Sequence, residues 1–191
     1  GEIIYPLSYP GDTYWSLSNL GTNSFGQGLA TTPIQMITAV SAVANGGKIM
    51  TPHIVKATIQ DGVTYEYTPQ VMLTPISEET AKTLTEMLAK SLELEASNAL
   101  VEDYHVAGKT GTGEIAIPGQ GYVTELTNAS FVGWGPTDDP QFLIYVWLEK
   151  PTSDRWGSIV ASPVFADVVK QVVIYMNIPP DDIRMRLYAN E

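Results

Sequence analysis

The sequence contains no cysteine among its 191 residues and only two histidines, His53 and His105. The lack of cysteine excludes disulfide bonds and thiolate metal ligands, and it is compatible with either side of a cell membrane. Two histidines are too few for a multi-histidine metal centre, and no spacing of Asp, Glu and His matches a metal site. We therefore expect no metal and no cofactor.

Basic residues are also scarce, because 10 Lys and Arg residues stand against 21 Asp and Glu residues and leave a formal net charge of −11. A nucleic-acid partner needs a basic stripe that neutralises phosphates, so we expect no such partner. The same charge argues against docking on anionic lipid through this surface. No run approaches the length of a membrane span and no signal peptide opens the chain, so we expect any anchor to lie upstream.

The composition, with 44% hydrophobic and 16% charged residues, is typical of a folded domain with its own core. Two helices are well signalled. Thr32 is the predicted N-cap of a capping box, and the glycine pair 46–47 ends that first helix. Ser77 is the predicted N-cap of a second helix over residues 78–92. Residues 1–23 show no clear period and are predicted to be irregular.

The remaining patterns predict β-structure. Asp61-Gly62 lies between two β-rich runs and predicts a hairpin. Later runs predict one antiparallel sheet, with strands paired in the order 104–112, 128–135 and 141–149. The run 141–149 is almost continuously apolar, which predicts a central strand covered on both faces. A loop over 113–127 and a C-terminal helix over 163–176 complete an α+β domain.

Paired acidic residues are candidates for acid–base chemistry, and the sequence has two such pairs, Asp138-Asp139 and Asp181-Asp182. Both pairs stand next to prolines, where carboxylates are typical of solvated turns. We interpret Asp154 and Arg155 in the same way. None of these residues is expected to act in a functional site.

The strongest chemical signal lies in residues 106–114, Val-Ala-Gly-Lys-Thr-Gly-Thr-Gly-Glu. Lys109 supplies a positive charge, while Thr110 and Thr112 are two residues apart and place their hydroxyls on one face of a strand. The glycines at 108, 111 and 113 leave the main chain bare, so that a ligand can accept hydrogen bonds from its N–H groups. This stretch predicts a carboxylate-binding strand edge that can also donate to an oxyanion. The same residues could instead form a glycine-rich turn with one solvated lysine.

A second motif, residues 24–36, reads Ser-Phe-Gly-Gln-Gly-Leu-Ala-Thr-Thr-Pro-Ile-Gln-Met. Followed by Lys109-Thr110-Gly111-Thr112, it resembles the class B penicillin-binding proteins, the D,D-transpeptidases that cross-link peptidoglycan. Further matches are residues 129–134, 141–149 and 161–165, so the resemblance covers nearly the whole chain. It implies the penicillin-binding protein/serine β-lactamase-like transpeptidase fold, an antiparallel sheet packed by helices. It also implies a location on the extracytoplasmic face of the bacterial cell membrane.

Two motifs of this enzyme class are missing from the sequence. No lysine is preceded three residues earlier by serine or threonine, and no Ser-x-Asn occurs, whereas the class carries both together with Lys-Thr-Gly. We therefore expect residues 1–191 to be the C-terminal portion of one transpeptidase domain, with a helical part at about 1–100 and the sheet and last helix at about 101–191. The nucleophile is expected in the missing N-terminal part, which a companion chain could supply. This chain alone is expected to be inactive.

The resemblance also implies roles for individual residues. In the family a serine attacks the D-Ala–D-Ala bond of a peptidoglycan stem peptide, and β-lactams mimic that dipeptide. Lys109 would act in catalysis, and the Thr112 N–H would be one of two oxyanion donors. The residues expected to bind substrate are Thr110, Gly111, Thr112 and Glu114. The residues expected to support the site are Gly26, Gln27 and Gly28.

Two other functions fit the same residues. A serine β-lactamase-like hydrolase shares Lys-Thr-Gly and the fold, although the 24–36 motif favours the transpeptidase. A non-catalytic scaffold or peptide-binding domain would keep the fold and lack the nucleophile. An upstream Ser-x-x-Lys separates an enzyme from such a scaffold, and rapid release of a penicilloyl group identifies a β-lactamase.

Overall fold

The computed structural model of the protein describes residues 11–13, 15–117 and 121–189. Its helices are α1 (Leu17–Ser24), α2 (Pro33–Ala44), α3 (Glu78–Glu95), α4 (Gly157–Val160), α5 (Ser162–Tyr175) and α6 (Asp181–Tyr188), with a 3₁₀ turn at Ser97–Ala99. Its strands are β1 (Ile49–Met50), β2 (Ala57–Gln60), β3 (Val63–Glu66), β4 (Val71–Leu73), β5 (Ala107–Ile117), β6 (Gly121–Gly135) and β7 (Phe142–Glu149). Helices and antiparallel sheets together give the predicted α+β class.

The two helix starts follow from local sequence as predicted. At α2 the Gln35 N–H donates to Thr32 Oγ1 at 3.3 Å, and the Thr32 N–H donates to Gln35 Oε1 at 2.9 Å. At α3 the Thr80 N–H donates to Ser77 Oγ at 3.1 Å. After α2 the chain passes Gly47, which has a φ of +88° and no room for a Cβ, since that atom would lie 2.1 Å from the Ile76 carbonyl oxygen.

The structure adds a helix at each end of the chain that the sequence did not predict. Residues Leu17–Ser24 form α1, although the stretch 1–23 was predicted to be irregular; residues 1–10 and Tyr14 lie outside the described residues. At the other end Asp181–Tyr188 form α6, where two solvated turn carboxylates were expected. The acidic residues at its first turn suit the positive end of a helix dipole, which explains why a helix starts there.

The main sheet has the order β5-β6-β7 and is antiparallel throughout, as predicted. Its strands β5 and β6 are longer than predicted, because most of the expected loop 113–127 is paired; residues 118–120 of that loop lie outside the described residues. The register shifts between Glu114 and Ile115, so Thr124, Glu125 and Leu126 bulge out of β6. A bulge breaks the two-residue alternation, which is why the sequence did not show these strand ends.

Strand β7 lies at one edge of the described sheet, not at its centre. Within the described residues it pairs with β6 alone, so a second neighbour, which the prediction of a central strand places outside this sequence, stays a prediction. Helices α2 and α5 both contact β7, and these contacts account for its nearly continuous apolar run. Burial under helices and burial between strands produce the same sequence pattern.

The core lies between this sheet and α5. Phe131 of β6 and Phe165 of α5 are both fully buried, and their ring centroids are 4.6 Å apart. By length and composition alone the stretch Gly157–Tyr175 could span a membrane, contrary to the expectation from sequence. However, Phe165, Val169 and Val173 on this stretch are buried in the core, as in the core helix of a folded domain.

Candidate active site

Strand β5 carries the Lys-Thr-Gly motif at an edge of the sheet, since within the described residues it pairs with β6 alone. Thr110 lies opposite Phe131 and Thr112 lies opposite Ala129, and cross-strand partners share a face. Both threonines therefore lie on the face that α5 covers, whereas Lys109 alternates to the other face. The exposed Lys109 still reaches round the strand, and its Nζ lies 3.3 Å from Thr110 Oγ1.

The three glycines of β5 within the motif differ in how much space surrounds them. A Cβ at Gly108 would lie 2.6 Å from the Val132 carbonyl oxygen, and a Cβ at Gly111 would lie 2.5 Å from Ser130 Oγ. These two glycines let β6 approach, which is a packing reason that the sequence did not reveal. A Cβ at Gly113 would meet nothing within 4 Å. Only at Gly113 does the missing side chain leave open space beside the strand.

Gly157 is a residue of the site that sequence reasoning missed. Its N–H donates to Thr112 Oγ1 at 3.1 Å, so the first residue of α4 is joined to the motif. A Cβ on Gly157 would lie 2.4 Å from the Ser130 carbonyl oxygen and 2.5 Å from the Gly111 carbonyl oxygen. The Thr112 hydroxyl accepts this bond and keeps its own O–H free to donate. A glycine at the first position of an apolar helical stretch was the available signal.

The loop between β7 and α4 holds the distal end of the site strands. Arg155 Nη1 donates to the Thr124 carbonyl oxygen at 3.2 Å, and Thr127 Oγ1 donates to the Arg155 carbonyl oxygen at 3.1 Å. Asp154 Oδ1 accepts from the Trp156 N–H at 2.9 Å. Asp154 is therefore a turn residue as predicted, whereas the interpretation of Arg155 as a solvated turn residue is wrong, because its side chain and carbonyl group hold β6 at the bulge.

Glu114 continues the alternation of β5 and lies opposite Thr127, partly buried. Since β5 runs on to Ile117, Glu114 shares the face of Thr110 and Thr112. The structure thus places a carboxylate on the same strand face as the two hydroxyls. In the described ranges, no three His, Asp or Glu residues cluster as metal ligands.

The turn of Gly26, Gln27 and Gly28 follows α1. Gly26 and Gly28 have φ values of +83° and +73°, and the Gln27 N–H donates to the Thr22 carbonyl oxygen at 2.9 Å. A Cβ at Gly28 would lie 2.9 Å from Thr22 Oγ1. Within the described part of the chain, no hydrogen bond joins this turn to β5. The structure therefore brings together Lys109, Thr110 and Thr112, but it does not join this turn to them.

Comparison with known proteins supports one family. The model of the penicillin binding protein transpeptidase domain matches residues 3–170. Stage V sporulation protein D of Bacillus subtilis is 35% identical over 93% of this chain and 27% of that protein. The probable peptidoglycan D,D-transpeptidase PbpC of Pseudomonas aeruginosa is 30% identical over 93% of this chain and 32% of that protein. The chain thus spans about a quarter to a third of the length of these relatives.

Solved structures agree. The apo transpeptidase domain of penicillin-binding protein 3 from Burkholderia pseudomallei is 30% identical, with a TM-score of 0.75 over 88% of this chain and 49% of that chain. Penicillin-binding protein 3 from Mycobacterium tuberculosis, complexed with ampicillin, is 30% identical, with a TM-score of 0.78 over 87% of this chain and 40% of that chain. The resemblance and the fold inferred from sequence are confirmed. This chain belongs to the penicillin-binding protein transpeptidase domain family.

Proposed function

We propose that this chain is the C-terminal portion of a peptidoglycan D,D-transpeptidase domain and forms the Lys-Thr-Gly wall of its active site. The observation that carries the proposal is the edge position of β5, which presents Lys109, Thr110 and the main chain of Thr112 beside a strand edge that no described residue pairs. An unpaired edge offers a row of N–H and C=O groups to an extended peptide. The names of the relatives support the same activity.

The reaction we propose is acyl transfer through a serine that lies outside this sequence. The serine oxygen attacks the carbonyl carbon of the D-Ala–D-Ala bond, the C–N bond breaks, and the terminal D-Ala leaves with a proton on its nitrogen. An amine of a neighbouring stem peptide then attacks the acyl-enzyme and restores the serine. A β-lactam mimics the dipeptide and leaves its acyl group on the serine.

Within this reaction the residues of β5 have separate tasks. Lys109 provides positive charge for the terminal carboxylate of the substrate and for the proton network. The Thr110 hydroxyl, 3.3 Å from Lys109 Nζ, donates to that carboxylate. The Thr112 N–H donates to the oxyanion of the tetrahedral intermediate, and loss of one such donor typically lowers the rate by about 10²–10³. Gly111 lets the acyl group lie close to the strand.

Glu114 is proposed to border the cleft. A carboxylate on the face of Thr110 and Thr112 repels the carboxylate of a β-lactam, so it slows acylation by anionic drugs. In the protein that carries this chain together with the serine, Glu114→Gln should acylate faster with an anionic penicillin than the wild type does. Equal rates would contradict this role.

We also propose the wider setting of the domain. The missing N-terminal part, in the same polypeptide or as a companion chain, supplies the serine and pairs with the open edge of β7, which leaves the edge of β5 to the substrate. Its partners are the D-Ala–D-Ala stem peptide and β-lactams. We place the domain on the extracytoplasmic face of the bacterial membrane, because peptidoglycan is assembled there and one named relative is a probable peptidoglycan D,D-transpeptidase. Gly26, Gln27 and Gly28 are proposed to support the site from their turn.

The test is intact mass spectrometry before and after incubation with benzylpenicillin. The 20.8 kDa chain alone should not change in mass, whereas the protein that also contains the upstream part should gain one penicilloyl group. A stable adduct on this chain alone would overturn the proposed location of the nucleophile. No adduct on the longer protein would favour the non-catalytic scaffold, and rapid loss of the adduct would favour a β-lactamase.

A further inference from the structure

Helix α6 lies beyond residues 3–170 that match the family, yet it carries two buried charges. Asp181 is 5% exposed and Arg184 is 4% exposed. Charges this deeply buried are costly unless each one is paired and hydrogen-bonded. The partners of these two residues therefore indicate which parts of the domain α6 connects.

Asp181 joins α6 to the segment that leads into β5. Its Oδ2 accepts from the His105 N–H at 2.6 Å and also contacts His105 Nδ1. Its own N–H donates to the Asp103 carbonyl oxygen at 3.0 Å. Tyr104 directly precedes His105, and its hydroxyl donates to the Ile178 carbonyl oxygen at 2.9 Å. Three consecutive residues before β5 are thus held by residues 178–181.

Arg184 extends these contacts to a second loop. Its Nη1 lies 2.8 Å from Asp181 Oδ1, and its Nη2 is paired with Asp138 in the turn between β6 and β7. In the same turn the Thr137 N–H donates to the His105 carbonyl oxygen at 3.0 Å. Burial opposes the charge of Arg184, but its contacts with Asp181 and Asp138 outweigh that effect and raise the pKa of Arg184. The guanidinium therefore stays charged and bridges both loops.

We propose that residues 178–184 form a latch that sets the position of β5, with Asp181 and Arg184 as positioning residues for Lys109. Lys109 is four residues after His105, at most about 14 Å along an extended chain, and β5 is paired with β6 continuously from Ala107. A paired strand moves as one piece, so a shift at His105 reaches Lys109. A displacement of about 1 Å in a catalytic group can cost about 10²-fold in rate.

The predicted effect of the latch on catalysis rests on the proposed function, whereas its predicted effect on the position of β5 does not. The experiment therefore uses the full-length protein that carries this chain and has two readouts. The first is the rate of acylation by benzylpenicillin, resolved into the binding and acylation steps. The second is amide hydrogen exchange of residues 105–112, which needs no activity. Both are measured well below the melting temperature of each variant.

The informative variant is Asp181→Asn, and the matched control is Asp182→Asn. Asp182 is the neighbouring residue, but its ion pair with Arg186 is exposed and should contribute little. We expect Asp181→Asn to slow the acylation step at least tenfold, to leave penicillin binding within about twofold, and to speed exchange at residues 105–112. We expect Asp182→Asn to match the wild type in all three.

Each result decides the question. The latch is refuted if Asp181→Asn folds and is acylated at the wild-type rate. It is also refuted if the acylation rate falls only in proportion to the fraction of protein that is folded. If Asp181→Asn does not fold, Asp138→Asn replaces it. Asp138 is more exposed than Asp181, and its substitution removes only the second ion-pair partner of Arg184. A twofold to fivefold slower acylation step then supports the latch, and no change refutes it. If even the wild type is not acylated, the proposed function fails, and hydrogen exchange alone decides.

Discussion

Replacement of Gly157 by alanine tests how tightly α4 is seated on the site strands. The added Cβ would lie 2.4 Å from the Ser130 carbonyl oxygen and 2.5 Å from the Gly111 carbonyl oxygen, and both atoms belong to the paired backbone of β5 and β6. Such atoms cannot turn away as a flexible side chain can. The start of α4 must therefore lift off the sheet, and the bond from the Gly157 N–H to Thr112 Oγ1 must lengthen from 3.1 Å.

The cost follows from these two changes. Overpacking of a well-packed site costs roughly 1–3 kcal/mol, and the loss of one hydrogen bond costs roughly 0.5–1.5 kcal/mol. Together they predict that Gly157→Ala lowers the free energy of unfolding by about 2–4 kcal/mol. For a domain of this size, that corresponds to a melting temperature lower by roughly 5–15 °C.

The assay is urea and thermal unfolding followed by circular dichroism, with Gly113→Ala as the control. Gly113 lies on β5, the strand that α4 contacts through Thr112, but a Cβ at Gly113 would meet nothing within 4 Å, so alanine there should leave the stability unchanged or slightly higher. If Gly157→Ala stays within about 0.5 kcal/mol of the wild type, the range of an ordinary surface substitution, the close seating of α4 is refuted.

Three further predictions concern the core, a helix cap and a phenol. Phe165→Ala empties a fully buried site and should cost about 3–5 kcal/mol in urea unfolding, whereas the exposed Val164→Ala should change little; similar values would contradict the packing. Thr32→Ala should lower the free energy of unfolding by about 1 kcal/mol, whereas Thr31→Ala at the exposed neighbouring position should lower it by almost nothing. Equal effects of the two substitutions would show that Thr32 does not cap α2. Burial raises the pKa of Tyr104 above 10.0, so its neutral phenol stabilises the fold fully below about pH 10 and less as the pH rises through the raised value. The advantage of the wild type over Tyr104→Phe should therefore shrink in melts above about pH 10, and a constant difference would refute this.

The sequence was sufficient for the parts of the fold that depend on neighbouring residues. The capping box at Thr32, the cap at Ser77 and the Asp61-Gly62 hairpin all form as predicted, because each depends on a few adjacent side chains. The order of the main sheet was also predictable, since three short-linked strands pair most simply as a meander.

What the sequence did not show depends on distant contacts. Asp181 is next to a proline and resembles a turn residue, but its partner His105 is 76 residues away. Nothing in the sequence around Gly157 shows that the carbonyl groups of Gly111 and Ser130 pack against it in the folded domain. Of the candidate site, the strand and its hydroxyl face could therefore be predicted. The packing behind the strand could not.

The edge of β5, which no described residue pairs, has a consequence for folding as well as for the proposed binding. Strands β5, β6 and β7 come from one continuous stretch of chain, so their sheet closes only short loops and can form early. An early sheet with an unpaired edge is a template for pairing with another chain. The exposed charge of Lys109 sits on that edge strand, where lysine is a common guard against such pairing. The cation that is proposed to bind a substrate carboxylate would then also keep incompletely folded copies of the domain apart.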